Sequence, residues 1–389
     1  MFYQLLFLSI LGCLSSIIFG EEDSKIINKR AILKRHVYNY STNINYWYEG
    51  SKIEAIDTAV KHLSQYTCLE FRKRSKKLTK RGLIFEIFDF KQIIDNLDKN
   101  EPSIVRLDGD CAEDVGCVKH MLALALGLIP HHNRWDRDKY VTVNKKNIND
   151  DFKMSYNKVK GTRVRILNTA FDFGSITNYD PFETSKKNLT RTYKSKLNPL
   201  YNKMLGQRHE FSHNDLKLLN DFYCGKSCAK KLKGCRNGGF QDPNQCNACR
   251  CPLGYDGKYC DKIKKTDYEC GKRFYEATKG YQTFAVNGTK ICNYFIQSPP
   301  GTKVELHVVD AYVRREPRKC VENFGIEIKN RHDRGTSGLV LCGRNKNVTI
   351  KGVFSQVLIH YIGFDNTDYA TFKYRAVKRK NTKSFSYDN

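Results

Sequence analysis

Apolar residues recur along this chain with three different spacings, and each spacing predicts a different element. Ile53-Glu-Ala-Ile-Asp-Thr-Ala-Val-Lys-His-Leu-Ser carries them at helical spacing and leads into Thr67-Cys68-Leu-Glu-Phe71, a helix-to-strand exit. Leu83-Ile-Phe-Glu-Ile-Phe is strand-like. Val118-Lys-His-Met-Leu-Ala-Leu-Ala-Leu126 is built of strong helix formers and meets a stop at Gly127, with Pro130 three residues on. Being apolar nearly all round, that helix has to be buried. Beyond Cys270 the period changes to two. Gly301-Thr-Lys-Val-Glu-Leu-His-Val-Val, Leu339-Val-Leu and Val357-Leu-Ile-His-Tyr alternate between turns, so an all-β sandwich is predicted there. No internal repeat is present.

Another apolar stretch lies at the N-terminus. Met1 to Gly20 holds no charged side chain, runs apolar from Leu5 to Leu14, and ends in Gly20 before Glu21-Glu22-Asp23. It reads as a secretory signal peptide over 1–20, followed by a short pro-like segment over 21–29. The alternative is an uncleaved anchor, since about 20 apolar residues span a bilayer. No later segment stays apolar for long enough to span, so no membrane crossing is expected once the signal is removed.

Composition supports the secreted reading. A length of 389 residues allows two or three domains, and 40% hydrophobic with 12% aromatic residues excludes disorder throughout. Fifteen cysteines point to an oxidising compartment. Loss of the signal removes Cys13 and leaves 14, an even number that can pair completely. Three of these precede residue 224, seven crowd between Cys224 and Cys260, and four are spread over Cys270, Cys292, Cys320 and Cys342. Residues 225–262 are too few to build a core without bridges. Their six cysteines from Cys228 permit fifteen pairings. Export also gives meaning to four glycosylation sequons, at Asn39, Asn188, Asn287 and Asn347.

Sixty-seven Lys and Arg against 41 Asp and Glu leave a net charge of +26, which favours acidic partners. The charge is densest in Arg72-Lys-Arg-Ser-Lys-Lys-Leu-Thr-Lys-Arg81 and in Lys262-Ile-Lys-Lys265. The expected partners are an extracellular protein or an acidic glycan, and no nucleic acid, because export removes the encounter. The tail over 378–389 is basic and polar, and disorder is expected.

The segment His120-Met-Leu-Ala-Leu-Ala-Leu-Gly127-Leu-Ile-Pro-His-His-Asn-Arg134-Trp-Asp136-Arg137-Asp138 resembles the astacin metallopeptidase signature H-E-x-x-H-x-x-G-x-x-H-E-x-x-R-x-D-R-D. Asp172-Phe-Gly-Ser-Ile-Thr-Asn-Tyr179, Gly206-Gln-Arg and Leu219-Asn-Asp-Phe-Tyr-Cys224 extend the match. The resemblance implies an α+β astacin-like (metzincin) domain over 30–224. Cys228 to Cys260 resembles an EGF-like module over 225–262, and Cys270 onward resembles a CUB sandwich over 270–377. The resemblances select seven disulfides: Cys68–Cys224, Cys228–Cys246, Cys235–Cys249, Cys251–Cys260, Cys270–Cys292 and Cys320–Cys342, with Cys111 and Cys117 left for each other. Calcium-binding CUB domains carry Tyr-Asp after their third cysteine; Phe324-Gly325 stands here, so no calcium site is expected.

The family implies zinc held by three histidines, with a glutamate as general base. Position by position, the first ligand survives as His120. The base is Met121, the second ligand Leu124 and the third Pro130, and none of these three binds zinc or takes a proton. The turn methionine is Thr177, while the turn tyrosine, which can lean onto the metal, remains as Tyr179. His131 or His132 could approach His120 only if the turn after Gly127 slipped. His209-Glu-Phe-Ser-His213 meets the literal H-E-x-x-H pattern, but Ser212 with Asp215 resembles a capping box, which would leave His209 in a loop. The resulting expectation is a non-catalytic pseudopeptidase that does not retain the family's zinc and binds extracellular proteins or glycans. The alternatives are an active zinc metalloendopeptidase and a matrix or polyanion binder.

Overall fold

Tyr46 and Tyr48 on the first strand donate their hydroxyls to Asp57 on the first helix, at 2.9 and 3.0 Å, and this clasp sets the helix against its sheet. The strand is β1 (Asn43–Tyr48) and the helix α1 (Glu54–Tyr66), which buries Ala55, Ile56, Ala59, Val60 and Leu63 along one face. The structure is a computed structural model describing residues 40–94, 100–161, 166–167, 169–187, 190–314 and 319–378. The expected signal peptide and pro-like segment, Asn39, Asn188 and the tail from 379 lie outside the described residues. Among those described, no helix is long and apolar enough to cross a membrane.

β2 (Glu70–Lys73), β3 (Leu83–Ile87), β4 (Gln92–Ile94) and β5 (Ser103–Leu107) complete a five-stranded sheet of order β2-β1-β3-β5-β4. Only β4, at the edge, runs antiparallel. α2 (Gly109–Glu113) and α3 (Val115–Ala125) follow, and α3 is buried on nearly every side, as its composition requires. Beyond it the domain is mostly turns until α4 (His213–Tyr223), whose end Cys224 is bonded to Cys68. Closing a loop of 156 residues is worth on the order of 5 kcal/mol in the chain-entropy model. Cys111 is bonded to Cys117.

Three bridges, Cys228–Cys246, Cys235–Cys249 and Cys251–Cys260, hold the small EGF-like module. Its last strand, Lys262–Ile263, runs one residue beyond the expected boundary at 262. The C-terminal region is the CUB-like sandwich of a five-stranded and a four-stranded sheet, with Cys270–Cys292 and Cys320–Cys342 bonded. Its last strand, Tyr369–Lys378, likewise passes the expected end at 377. Thr302–Val313 alternates buried and half-buried residues, with a slip at Val309–Asp310, but Leu339–Leu341 and Val357–Tyr361 are buried at every position. Their outward residues meet other modules rather than water, and Leu358 packs against Tyr255 and the cystines of the EGF-like unit.

The sandwich is docked on the first domain. Phe171, Phe173, Tyr201 and Met204 belong to one apolar cluster with Leu306, Ile328 and Tyr361 of the sandwich. Hydrogen bonds rim the contact. Asp333 Oδ2 accepts from Ala170 N at 2.8 Å and Asn214 Nδ2 at 2.9 Å, Arg331 donates to Phe171 O at 2.7 Å, and Cys320 N donates to Lys203 O at 3.0 Å. The approach is close enough at Gly174 that a Cβ there would lie 2.3 Å from Ser337 Oγ.

Asp333→Ala should therefore weaken the seam, leaving two donors across it, and Gly335 N within its own loop, without their acceptor at a cost of about 1–3 kcal/mol. Limited proteolysis between residues 224 and 270 should accelerate along with a lower thermal midpoint, and unchanged values for both would contradict the docking. A pH effect follows from two buried imidazoles. His213 donates from Nε2 to Gly238 O at 3.0 Å, and His360 Nδ1 meets Asn293 Oδ1 at 2.6 Å. Burial, the larger cause in each, pulls both down to about 3. Below about pH 6.5 the unfolded chain takes protons that the folded chain refuses, so acidification destabilises, by about 2 kcal/mol per ring at pH 5. In His360→Gln the fall in unfolding free energy from pH 7 to 5 should be shallower by about that amount. An identical fall in both proteins would remove His360 from the account.

Candidate active site

α3 brings His120 and Leu124 to one face, four residues apart, and then ends abruptly. Leu128 N donates to Ala123 O and Gly127 N to Leu124 O, both at 3.0 Å, with Gly127 at φ +93°. That paired pattern is the Schellman stop, and only glycine adopts its backbone freely. The chain turns back through Leu128, Ile129 and Pro130 into a short 3-10 turn at His131–Asn133.

His120 is buried, and its Nδ1 meets Ile176 O at 2.7 Å. A carbonyl oxygen only accepts, so Nδ1 carries the proton and Nε2 keeps its lone pair, the arrangement of a ligating imidazole. Burial first, then the Arg208 guanidinium, holds this ring well below its ordinary value, so it is neutral. Leu124 and Pro130 supply no donor atoms. Thr177, at the turn-methionine position, donates its hydroxyl to Ile129 O at 2.9 Å and shares a 2.8 Å contact with Ser175 Oγ.

The two spare histidines take different paths. His131 faces away, its Nδ1 accepting from Asp172 N at 2.9 Å and its ring edge-on to Phe171. His132 is inserted among three tyrosines, with ring centroids 4.6 Å from Tyr179, 4.8 Å from Tyr156 and 5.2 Å from Tyr193. Tyr179 also borders His120 at 6.1 Å. Neither nitrogen of His132 has a hydrogen-bond partner among the described residues. The Ser155 carbonyl, which accepts from Asn133 Nδ2 at 2.5 Å, lies beside the ring and favours its charged form, but burial outweighs it and keeps the imidazole neutral. Tyr179 is pushed up to about 12 by burial, so its phenol stays protonated. The tyrosine cage was not legible in sequence, because Tyr156 and Tyr193 lie in turn-rich stretches with no periodicity. Arg208 was quoted only as part of a motif; its Nη1 reaches the carbonyls of Ile176, Asn178 and Gln207 and braces the turn.

The second H-E-x-x-H run behaves as its capping residues predict. Ser212 and Asp215 form a reciprocal capping box, α4 starts at His213, and His209 lies before it with its ring 4.4 Å from Phe324. Phe324, at the position where calcium-binding CUB domains have a tyrosine, is thus part of the packing. Asn287 and Asn347 are both exposed.

Residues 32–224 match the family model described as Astacin, a peptidase family. This stretch is an astacin-like domain. The zinc metalloproteinase dpy-31 of Brugia malayi is 30% identical over 334 residues, covering 81% of this chain and 54% of that protein. The zinc metalloproteinase nas-34 of Caenorhabditis elegans is 29% identical over 317 residues, covering 80% and 51%. The chain thus spans about half the length of these relatives. Among solved structures, high choriolytic enzyme 1, a hatching enzyme zinc-protease from Oryzias latipes, aligns with 50% of this chain and 94% of its own. Its TM-score is 0.42 and its identity 23%.

The astacin family normally uses zinc, and the residues present do not fit that ion. A catalytic zinc takes three protein ligands and a water. The donors lining this site are one oriented imidazole at His120, a second at His132 without a positioning partner, and a protonated phenol at Tyr179. No carboxylate stands beside His120 on α3 to act as base. His132→Phe tests how that ring is held. Replacing an unsatisfied buried imidazole by an apolar ring of similar shape should be neutral or stabilising by roughly 1–2 kcal/mol at pH 7. A loss of stability by denaturant titration would mean that His132 is held by a partner that phenylalanine cannot replace.

Proposed function

We propose that this protein is a secreted, non-catalytic astacin homologue that binds extracellular protein. The observation that carries the reading is the set of side chains at one site: Met121, Leu124 and Pro130 occupy the positions from which the family draws its base and two zinc ligands. A divalent ion beside Leu124 and Pro130 would lose hydration without replacement ligands, which one or two imidazoles do not offset. With metal forced in, Met121 still takes no proton from water, and a positioned general base typically contributes 10²–10⁴-fold.

The scaffold around the missing chemistry is intact, and that supports binding. β4 is the edge of the five-stranded sheet, so its outer backbone groups suit an extended peptide added as a further strand. The docked EGF-like and CUB-like modules extend the surface a partner can meet.

Purified protein should contain far less than one zinc per chain by metal analysis and cleave neither gelatin nor casein. Met121→Glu, Leu124→His and Pro130→His combined should bring zinc binding back, because Gly127 still makes the turn and His120 is already oriented. Each substitution alone should recover nothing. Chelator-sensitive proteolysis by the unsubstituted protein would overturn the proposal in favour of a working metalloendopeptidase.

A further inference from the structure

The strongest charge concentration in the sequence folds into one loop. β2 and β3 both pair in parallel with β1, so the chain between them must leave the sheet beside Tyr46 and return to the same residue. Lys73 and Leu83 both lie opposite Tyr46, and Arg74 N donates to Tyr46 O at 2.9 Å. The excursion encloses a cleft of about 610 Å³ lined by Asn45 and residues 73–81. Within residues 70–86, seven cations face two carboxylates, Glu70 and Glu86.

Both carboxylates are already engaged. Arg72 pairs with Glu70 at 3.0 Å, and Lys77 lies 3.7 Å from Glu86. Lys73 lies over the Tyr48 ring at 3.6 Å, and Arg81 donates to Ser103 Oγ at 3.2 Å and Glu101 O at 3.3 Å. Arg74, Lys76 and Lys80 are exposed and have no acidic partner among the described residues. Three unpaired cations thus share one cleft with the side chains of Asn45, Ser75 and Thr79. Holding them together costs Coulomb repulsion that a multivalent anion would relieve.

We propose that this loop is a binding site for a sulfated polysaccharide. Its cations are spaced along a cleft, which suits repeated anions on one chain, and its hydroxyl and amide groups suit sugar oxygens. The apolar side chain in the run, Leu78, is partly buried, which leaves nothing to insert into a bilayer. Seven disulfides place the folded chain in an oxidising compartment, away from nucleic acid. The inference stands apart from the fate of the zinc site, since the loop follows β2, at the edge of the sheet opposite β4.

The test is calorimetric titration of the full mature chain with a heparin octasaccharide at 0.15 M salt, where the Debye length is about 8 Å. The variant Arg74→Gln/Lys76→Gln/Lys80→Gln should lose affinity on the order of tenfold, as expected for three exposed charge pairs. Its salt dependence should also become shallower. The charge-matched control Lys262→Gln/Lys264→Gln/Lys265→Gln should change affinity by less than about twofold. A matched thermal midpoint shows that the loop variant is folded, and Arg74→Lys/Lys76→Arg/Lys80→Arg, which keeps the charge, should retain binding. Equal losses in loop and control variants would assign retention to net charge and overturn the site. Tighter binding of duplex DNA or phosphatidylserine vesicles than of the octasaccharide would overturn the ligand class.

Discussion

Asp215 is the joint on which both the candidate site and the docking of the sandwich depend. Its Oδ1 accepts from Ser175 Oγ at 2.6 Å, and its Oδ2 accepts from Ile176 N at 2.9 Å and Ser212 N at 3.0 Å. One carboxylate therefore caps α4 and pins the 172–178 turn. The pinned turn presents Ile176 O to His120 on one side and Phe171 and Phe173 to the sandwich on the other. Burial, with Asp172 nearby, pushes Asp215 up to about 7. That rise measures the cost of enclosing the group, and the bonds it accepts are what hold it there.

With this joint in place, the turn beside His120 is held by side-chain hydrogen bonds. Metal ligands in such sites are oriented by outer hydrogen bonds, and here that bond persists at the one ligand position that keeps its histidine. His120 keeps its carbonyl partner, while Thr177 ties the turn to Ile129 O, so the floor of the cleft is braced by ordinary hydrogen bonds and aromatic packing. Leu124 packs against the apolar cluster of the first domain. Met121 and Leu124, at the family's base and second-ligand positions, thus extend the core.

How much of this was legible in the sequence depended on how local each determinant is. The stop at Gly127 and the capping box at Ser212 and Asp215 are written within a few residues, so the helix ends and the fate of His209 followed directly. The disulfide pairs came from the resemblance, since fifteen pairings of six cysteines are not separable by spacing alone. The docking was not legible. The alternation expected for Val357–Tyr361 is not there: Val357, Leu358 and Ile359 are apolar in succession, and both faces are buried because the second packs on a neighbouring module. His132 escaped for the same reason, since its cage is assembled from Tyr156, Tyr179 and Tyr193, each distant in sequence.

The same contrast explains where charge could accumulate. Around α3 every position is fixed by packing: Lys119 is admitted only because its Nζ reaches Glu210 at 2.7 Å and His209 O at 3.2 Å. Arg134 is admitted through a two-pronged contact with Asp136 at 2.7 and 2.9 Å. A cation there must bring its own acceptor or bear the full desolvation cost. The excursion from β2 to β3 crosses outside the sheet and is solvated along most of its length, so a cation there loses no hydration. Density of unpaired charge is therefore expected where packing demands least, and a polyanion can displace the small counterions that otherwise balance it. That is why the basic loop, rather than the cleft beside His120, is where a ligand's charge meets unpaired groups already gathered to receive it.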